Sequence, residues 1–313
     1  MLRLIPDRSL KRLVNKPRRA PRRRVDGVLL LDKPGGMTSN AALQKVRWLL
    51  NAEKGGHTGT LDPLATGLLP LCFGDATKFA GEMLDAGKTY LATVRLGIET
   101  DTADADGQVT AEHPVTVGEA DVQALLPRFI GAIEQVPPMY SALKRDGKPL
   151  YELARQGIEV ERQARQIEIF SLVLSHWSGN SFDLRVDCSK GTYVRTLAAD
   201  IGKALGCGAH LSALRRTRIA HLQIEAAVTL DAIESRSAPE RDTLLMPPDA
   251  LLSGMPEVQL AEQEAARLLH GQAIRWHAAP SRQCRLYGPA GFIGTGEMGQ
   301  DGWLKPKRLI APG

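Results

Sequence analysis

The residue with the clearest chemical potential is Asp62, inside the loop Gly55-Gly-His-Thr-Gly-Thr-Leu-Asp-Pro-Leu-Ala-Thr-Gly67. A residue before proline is pushed to extended dihedrals, and glycines let a backbone come close to a ligand. A lone carboxylate fixed this way can serve as a general base or a nucleophile. The local alternative is an Asx-type turn, in which Asp62 only bonds nearby amides. The loop ends in no Gly-Lys-Ser/Thr and lacks the dinucleotide glycine spacing, so it is no nucleotide-phosphate loop. A second candidate is Lys190-Gly-Thr-Tyr-Val-Arg195, between a strand and a helix. Arg195 falls in the first helical turn, where the dipole disfavours a cation, so it needs a carboxylate or phosphate partner. Tyr193 stands beside it. Lys88-Thr-Tyr90, at the mouth of a strand, supplies another aromatic; its plain reading is a half-buried strand residue.

Other chemistries fail on spacing. Asp101-Thr-Ala-Asp-Ala-Asp-Gly107 resembles a calcium loop, but aligning Gly107 puts Thr102 first and His113 at the twelfth position, not a bidentate Glu. It reads as a polar turn. There is no Gly-x-Ser-x-Gly elbow or His-Glu-x-x-His helix, and nothing pairs a second carboxylate such as Asp75 with Asp62, as a glycosidase needs. Cys72, Cys188, Cys207 and Cys284 form no C-x-x-C pair and read as reduced, buried thiols. Cys207 with His210 lacks two further ligands for zinc. No metal and no cofactor is expected.

The elements that position these residues follow from periodicity. Val28–Leu31 is a short apolar strand ending in the Asp32–Gly36 turn. Ala42, Val46 and Leu49 keep helical spacing to about Asn51, with Thr38 and Ser39 as candidate caps. Tyr90, Ala92, Val94, Leu96 and Ile98 alternate along a strand. Val122 to Phe129 reads as a helix bent by Pro127. Residues 167–174 and 182–188 read as strands, and Ser189-Lys-Gly191 leads into a helix from about Thr196 to Leu205, closed by Gly206. Strands and helices mix without a regular βαβ rhythm. This predicts an α+β fold with a mixed, largely antiparallel central sheet flanked by helices. Periodicity fades from Ser235 to Pro248, and a boundary is expected near Pro247. Beyond it lie one helix and short glycine-split strands, which suit a small C-terminal β-rich barrel.

The chain has 313 residues, 43% hydrophobic and 24% charged, with a net charge of +5. That is a globular composition of about two domains. The charge is uneven: residues 1–24 carry +9, leaving −4 on the remaining 289. The body still holds basic patches, at Lys203, Arg215, Arg216 and Arg218 and at Lys305, Lys307 and Arg308. A basic arm with local patches suits a polyanion. No apolar run approaches the ~20 residues of a membrane span. The start lacks the apolar core of a secretory signal and its three prolines interrupt an amphipathic helix, so a cytoplasmic location is expected.

Five segments in one order carry a resemblance. They are Val28-Leu-Leu-Leu-Asp-Lys-Pro34, Gly56-His-Thr-Gly-Thr-Leu-Asp-Pro-Leu-Ala-Thr-Gly67, Leu96-Gly-Ile-Glu-Thr-Asp-Thr-Ala-Asp-Ala-Asp-Gly107, Pro138-Met-Tyr-Ser-Ala-Leu-Lys144 and Cys188-Ser-Lys-Gly-Thr-Tyr-Val-Arg195. Together they resemble the TruB family of tRNA pseudouridine-55 synthases, from about Val25 to Thr229. Phe292–Glu297 and Leu304–Ile310 resemble, more loosely, its short PUA-type RNA-binding module. The resemblance implies the pseudouridine synthase fold and three parts: a basic disordered arm (1–24), a catalytic domain (25–247) and a PUA-like domain (248–313). It implies isomerisation of one uridine in the T-loop of tRNA, by a monomer with no obligatory protein partner. Asp62, Tyr90 and Arg195 are then the catalytic residues. Asp62 is the nucleophile or base, Arg195 a bidentate partner that keeps it ionised, and Tyr90 the ring that stacks on the flipped uracil and is placed to take its C5 proton. His57 lies against the RNA where the base left, Tyr193 and Leu214 complete the pocket wall, Lys33 braces the loop, and Arg215 and Arg216 meet phosphates. Two other readings stay open at this point: an RNA-folding protein whose grip matters more than its catalysis, and a glycosidase that releases free uracil.

Overall fold

A run of consecutive apolar residues in a strand, such as Val28 to Leu31, must be covered on both faces. The computed structural model describes residues 21–141, 143–145, 147–277 and 283–310, and its first strand, β1 (Gly27–Lys33), obeys this rule. Leu29 and Leu31 enter the larger core, Val28 and Leu30 a smaller one on the opposite face.

Nine further strands complete the sheet: β2 (Gly55–His57), β3 (Thr66–Phe73), β4 (Lys88–Leu96), β5 (Gly131–Gln135), β6 (Arg165–Trp177), β7 (Ser181–Cys188), β8 (Ala209–Ile219), β9 (Leu222–Gln223) and β10 (Val228–Thr229). Their order is β10-β1-β3-β8-β4-β7-β6-β5, with β2 beside β3 and β9 beside β8. The β1–β10 and β3–β8 pairs are parallel and the others antiparallel. The fold is therefore α+β with a mixed, largely antiparallel sheet, as the irregular element order predicts. The glycine-rich stretch departs from expectation at its start: residues 55–57 are strand, and the true loop is residues 58–65.

Alternation decides which face is covered. Tyr90, Ala92, Val94 and Leu96 of β4 and Phe182, Leu184, Val186 and Cys188 of β7 all point into the larger core. Helices α1 (Ser39–Leu49) and α2 (Val194–Ala204) close it, through Ala42, Leu43 and Val46 and through Leu197, Ala198 and Ile201. Thr38 is the cap of α1, accepting from Ala41 N at 3.1 Å. Ser39, the other candidate, is used elsewhere. Helix α2 begins at Val194, two residues earlier than periodicity suggests.

The C-terminal sheet comprises β11 (Glu257–Gln259), β12 (Ile274–Arg275), β13 (Cys284–Gly288), β14 (Gly291–Met298) and β15 (Trp303–Leu309), in the order β11-β13-β14-β15-β12. It is an open half-barrel with its own core, which includes Leu268, Ile274, Leu286 and Leu304. The segment after Pro247 is no free linker. Leu251 and Leu252 are buried in the smaller core with Phe79, and Phe292 and Ile310 of the C-terminal unit pack on the same cluster. Lys78 Nζ donates to Leu309 O and Arg308 Nη1 to Lys78 O, both at 2.8 Å.

Of the expected arm, residues 1–20 lie outside the described residues. The last of it is built into the body: Arg23 N donates to Asn51 O and its side chain pairs with Asp242, while Arg24 pairs with Asp26 and Asp75.

The parallel β3–β8 contact sets the floor of the site. Gly67 stands opposite Arg216 at φ +99, and a Cβ there would lie 2.3 Å from Arg216 O. Gly67→Ala adds both left-handed strain and a backbone clash, so a loss of at least about 3 kcal/mol is expected. A urea midpoint that stays at the wild-type value, with unchanged slope, would contradict this.

Candidate active site

The loop bearing Asp62 is pinned from behind at several points. Ser39 Oγ accepts from Leu61 N at 2.7 Å and donates to Leu61 O at 2.9 Å. Gly36 N donates to Pro63 O at 2.9 Å. Lys33 is 0% exposed, and its ammonium donates to Pro34 O, Met37 O and Pro63 O at 2.8, 2.7 and 3.5 Å. Burial pushes its pKa down to about 8, and the Asp62 charge opposes the drop. Lys33 therefore braces the loop and has no surface to offer RNA.

Asp62 is not in an Asx turn: among the described residues its carboxylate meets no backbone amide. It meets Arg195 instead, with Nε to Oδ2 at 2.9 Å. The Arg195 side chain is 4% exposed and that of Asp62 39%, so the carboxylate faces open space while the guanidinium sits behind it. Burial raises the pKa of Asp62, Arg195 pulls it back and Asp104 adds to the rise. The contact is not bidentate. Arg195 Nη1 and Nη2 donate to Thr102 O at 2.9 Å and Tyr140 O at 2.8 Å. These two carbonyls fix the plane of the guanidinium, so only Nε reaches the carboxylate.

A second carboxylate shares this cation. Asp104 Oδ2 lies 3.4 Å from Arg195 Nε and its side chain is 5% exposed. Its Oδ1 accepts from Thr102 Oγ1 at 2.6 Å and from Asp106 N at 3.1 Å. Composition could not reveal this: the segment reads as a polar turn, and only the fold turns it toward α2. A burial signal was absent too, because three aspartates within six residues suggest solvent.

The placement of α2 depends on another unpredicted residue. Gln135, at the end of β5 and 3% exposed, accepts from Tyr193 N at 2.8 Å and donates to Tyr193 O at 3.1 Å. Tyr193 provides no side-chain cap, and this clamp satisfies one of the open N–H groups at the helix start.

Asp62, Tyr90, Tyr193, Arg195 and Leu214 line one cavity of about 240 Å³, together with Lys88, Ser141 and Arg216. It is smaller than the ~300–1,000 Å³ of drug-sized ligand sites, and suits one small ring. Tyr90 is 8% exposed and sits on β4 between Val186 of β7 and Arg216 of β8. Burial raises its pKa and the Arg216 charge opposes the rise. Lys88, buried at 8%, donates to Leu84 O at 3.0 Å and Ala86 O at 2.6 Å, tying the mouth of β4. A wider hollow of about 790 Å³ at the far end of β4, near Arg95 and His113, lacks any such buried carboxylate–guanidinium pair.

Three residues expected to meet the RNA are placed otherwise: His57 and Arg215 do not line this cavity, and Arg216 lines it from within the protein. His57 is half-buried on β2; its Nδ1 accepts from Gly59 N at 3.4 Å, and burial with the Arg216 charge lowers its pKa. Arg215 is held by Asp32 through two bonds of 2.9 and 2.7 Å. Arg216 is turned inward, contrary to a phosphate role: it is 1% exposed, with Nε donating to Leu68 O at 2.8 Å and Nη2 to Gly59 O at 3.1 Å. The alternation of β8 decides this, since one of two adjacent arginines must face the core. The groups in the cavity can thus hold a planar ring and present one ionised oxygen to it.

Comparison with known proteins agrees with the chemistry. Residues 47–194 match the model of the TruB family pseudouridylate synthase N-terminal domain. Residues 195–253 match a tRNA pseudouridylate synthase B C-terminal domain, and 256–310 a pseudouridine synthase II TruB C-terminal model. The chain is 60% identical over 294 residues to tRNA pseudouridine synthase B of Azoarcus sp. (strain BH72), covering 94% of this chain and 98% of that protein. It is 56% identical over 288 residues to the protein of that name from Dechloromonas aromatica (strain RCB), covering 92% and 96%. Among solved structures it is similar to a Cbf5-Nop10-Gar1 complex, with a TM-score of 0.70 and 25% identity over 91% of this chain and 85% of the matched one.

Proposed function

The chain belongs to the TruB family of pseudouridylate synthases, and from that membership we propose that it isomerises uridine 55 in the T-loop of tRNA to pseudouridine. The observation that carries the reading is the Asp62 carboxylate, backed by Arg195 at 2.9 Å, on the wall of a cavity with a tyrosine ring in it. The N1–C1′ bond breaks, the base turns, and C5 joins C1′; C5 loses a proton and N1 gains one, so no atom is added or lost.

The base must first leave its stack, at a cost of a few kcal/mol. Stacking on Tyr90 offsets about 1–3 kcal/mol of that. Asp62 then acts on the nucleotide as nucleophile or base, Tyr90 is placed to relay the C5 proton, giving up its own phenolic proton as it takes one from C5, and Tyr193 and Leu214 hold the ring from the side. His57 lies next to the loop, where it can rest against the RNA outside the cavity. Residues 25–247 form the catalytic part and 248–313 a PUA-like RNA grip, to which the exposed Lys305, Lys307 and Arg308 contribute charge. The basic arm adds salt-dependent affinity. In this reading the protein works in the cytoplasm as a monomer, with tRNA as its partner.

The test is a T-arm hairpin incubated with pure protein and no additive. Mass spectrometry of the intact RNA and of its nucleosides should give an unchanged RNA mass with pseudouridine at the target. Free uracil in the supernatant would instead mean hydrolysis, and an unaltered nucleoside profile would end the proposal.

A further inference from the structure

Pro138-Met-Tyr-Ser-Ala-Leu-Lys144 contributes two groups to the site. The first is Tyr140 O, which fixes Arg195. The second is the side chain of Ser141. Ser141 is 5% exposed, and its Oγ has no hydrogen-bond partner among the described residues. Its backbone is fully engaged: Ser141 N donates to Met139 O at 2.9 Å and Ser141 O accepts from Tyr151 N at 3.1 Å. The residue is therefore held in place while its hydroxyl is left over.

Buried polar groups are almost always satisfied, and each exception in a native fold calls for an explanation. Three other buried side-chain atoms lack partners among the described residues: Thr58 Oγ1, Arg162 Nε and Arg236 Nη1. Thr58, Arg162 and Arg236 do not line the cavity that holds Asp62; Ser141 does, beside Tyr193 and Arg195. The Tyr193 hydroxyl is close enough for Ser141 to pull its pKa down against the rise from burial, but the pair does not meet the geometry of a hydrogen bond.

We infer that the Ser141 hydroxyl is a binding group for the flipped uracil, making a hydrogen bond to the polar edge of the base. This rests on the reading that the cavity receives a uridine. The depth selects the base over the rest of the nucleotide: a group this buried meets whatever enters furthest, and phosphates stay at the rim. A hydroxyl both donates and accepts, so it serves either the N3–H or a carbonyl oxygen of uracil.

The experiment uses Ser141→Ala, which removes the hydroxyl with almost no change in volume. A neutral hydrogen bond is worth a factor of about three to ten, so kcat/KM on a T-arm hairpin should fall by about that much. Because the lost hydroxyl forms no hydrogen bond among the described residues, the melting temperature should hold or rise. Binding is then measured for two hairpins, one with uridine at the target and one abasic there, in an Asp62→Asn background that blocks turnover. The serine should favour the uridine hairpin three- to tenfold and the abasic hairpin not at all. Equal losses on both hairpins would place Ser141 on the backbone of the RNA and overturn the inference. So would an unchanged kcat/KM, or a melting temperature lowered by several degrees, which would mark the hydroxyl as structural. Wild-type protein that makes no pseudouridine would instead fault the underlying reading, and the two failures are distinguishable on that ground.

Discussion

Asp62→Asn is expected to form pseudouridine at least about a thousandfold more slowly than the wild-type protein, with T-arm affinity within about twofold. The amide keeps the shape of the carboxylate and removes its charge and basicity. Proton transfer by a positioned side chain contributes about 10²–10⁴-fold, and loss of a group that also forms a covalent bond costs more. The fold should survive, because Ser39, Lys33 and Gly36 hold the loop through its backbone and not through Asp62. Single-turnover rates at saturating RNA isolate the chemical step from binding. A rate within tenfold of wild type would remove Asp62 from the reaction. In the wild-type protein the rate should fall on acidification through a pKa above the ~3.9 of a free aspartate, since burial raises that of Asp62.

Arg195→Met should damage both stability and rate. The guanidinium is 4% exposed and serves two carboxylates and two backbone carbonyls. Removing one partner of a buried pair leaves the other charge uncompensated, at about 3–5 kcal/mol. Asp104 is the group so stranded, as its side chain is 5% exposed; Asp62, at 39%, keeps contact with solvent. The pH dependence has a definite sign. Arg195 lowers the pKa of Asp62 against the rise from burial, so without it the folded-state value climbs further above the unfolded one. Between the two values the native state binds the extra proton. The variant should therefore regain stability as pH falls and lose it as pH rises. The acid limb of its rate profile should move to higher pH for the same reason. Arg195→Lys restores the charge but not the fork that spans Thr102 O and Tyr140 O, so it should recover stability more than rate. Denaturant midpoints and rate profiles at several pH values test both effects. A variant as stable as wild type at neutral pH, with an unmoved acid limb, would show that the pair is incidental.

These two residues also mark how far sequence reasoning reaches. A cation in the first turn of a helix calls for a carboxylate or phosphate partner, and a carboxylate needs a counter-charge to stay ionised only once it is buried. Each demand is local, but neither names its partner; the family resemblance is what pairs the two. Which nitrogen meets which oxygen is not local: it follows from Thr102 O and Tyr140 O, which arrive from two distant segments. Asp104 shows the same limit. Its neighbours predict a solvated turn, and only packing against α2 makes it a buried third member. Adjacent Arg215 and Arg216 look alike in a basic run, yet the pleat of β8 sends one to Asp32 and the other into the core.

The element order, the alternating faces of β4 and β7, the apolar β1 and the loop around Asp62 were all set by side-chain period and by the dihedral limits of proline and glycine. Those are properties of neighbouring residues, and the chain carries them before it folds. Strand order, the clamp from Gln135, the inward turn of Arg216 and the unsatisfied hydroxyl of Ser141 were decided only by tertiary structure. Each arises when groups far apart in the chain are brought together and desolvated, and desolvation is what converts an ordinary polar side chain into one that must find a partner.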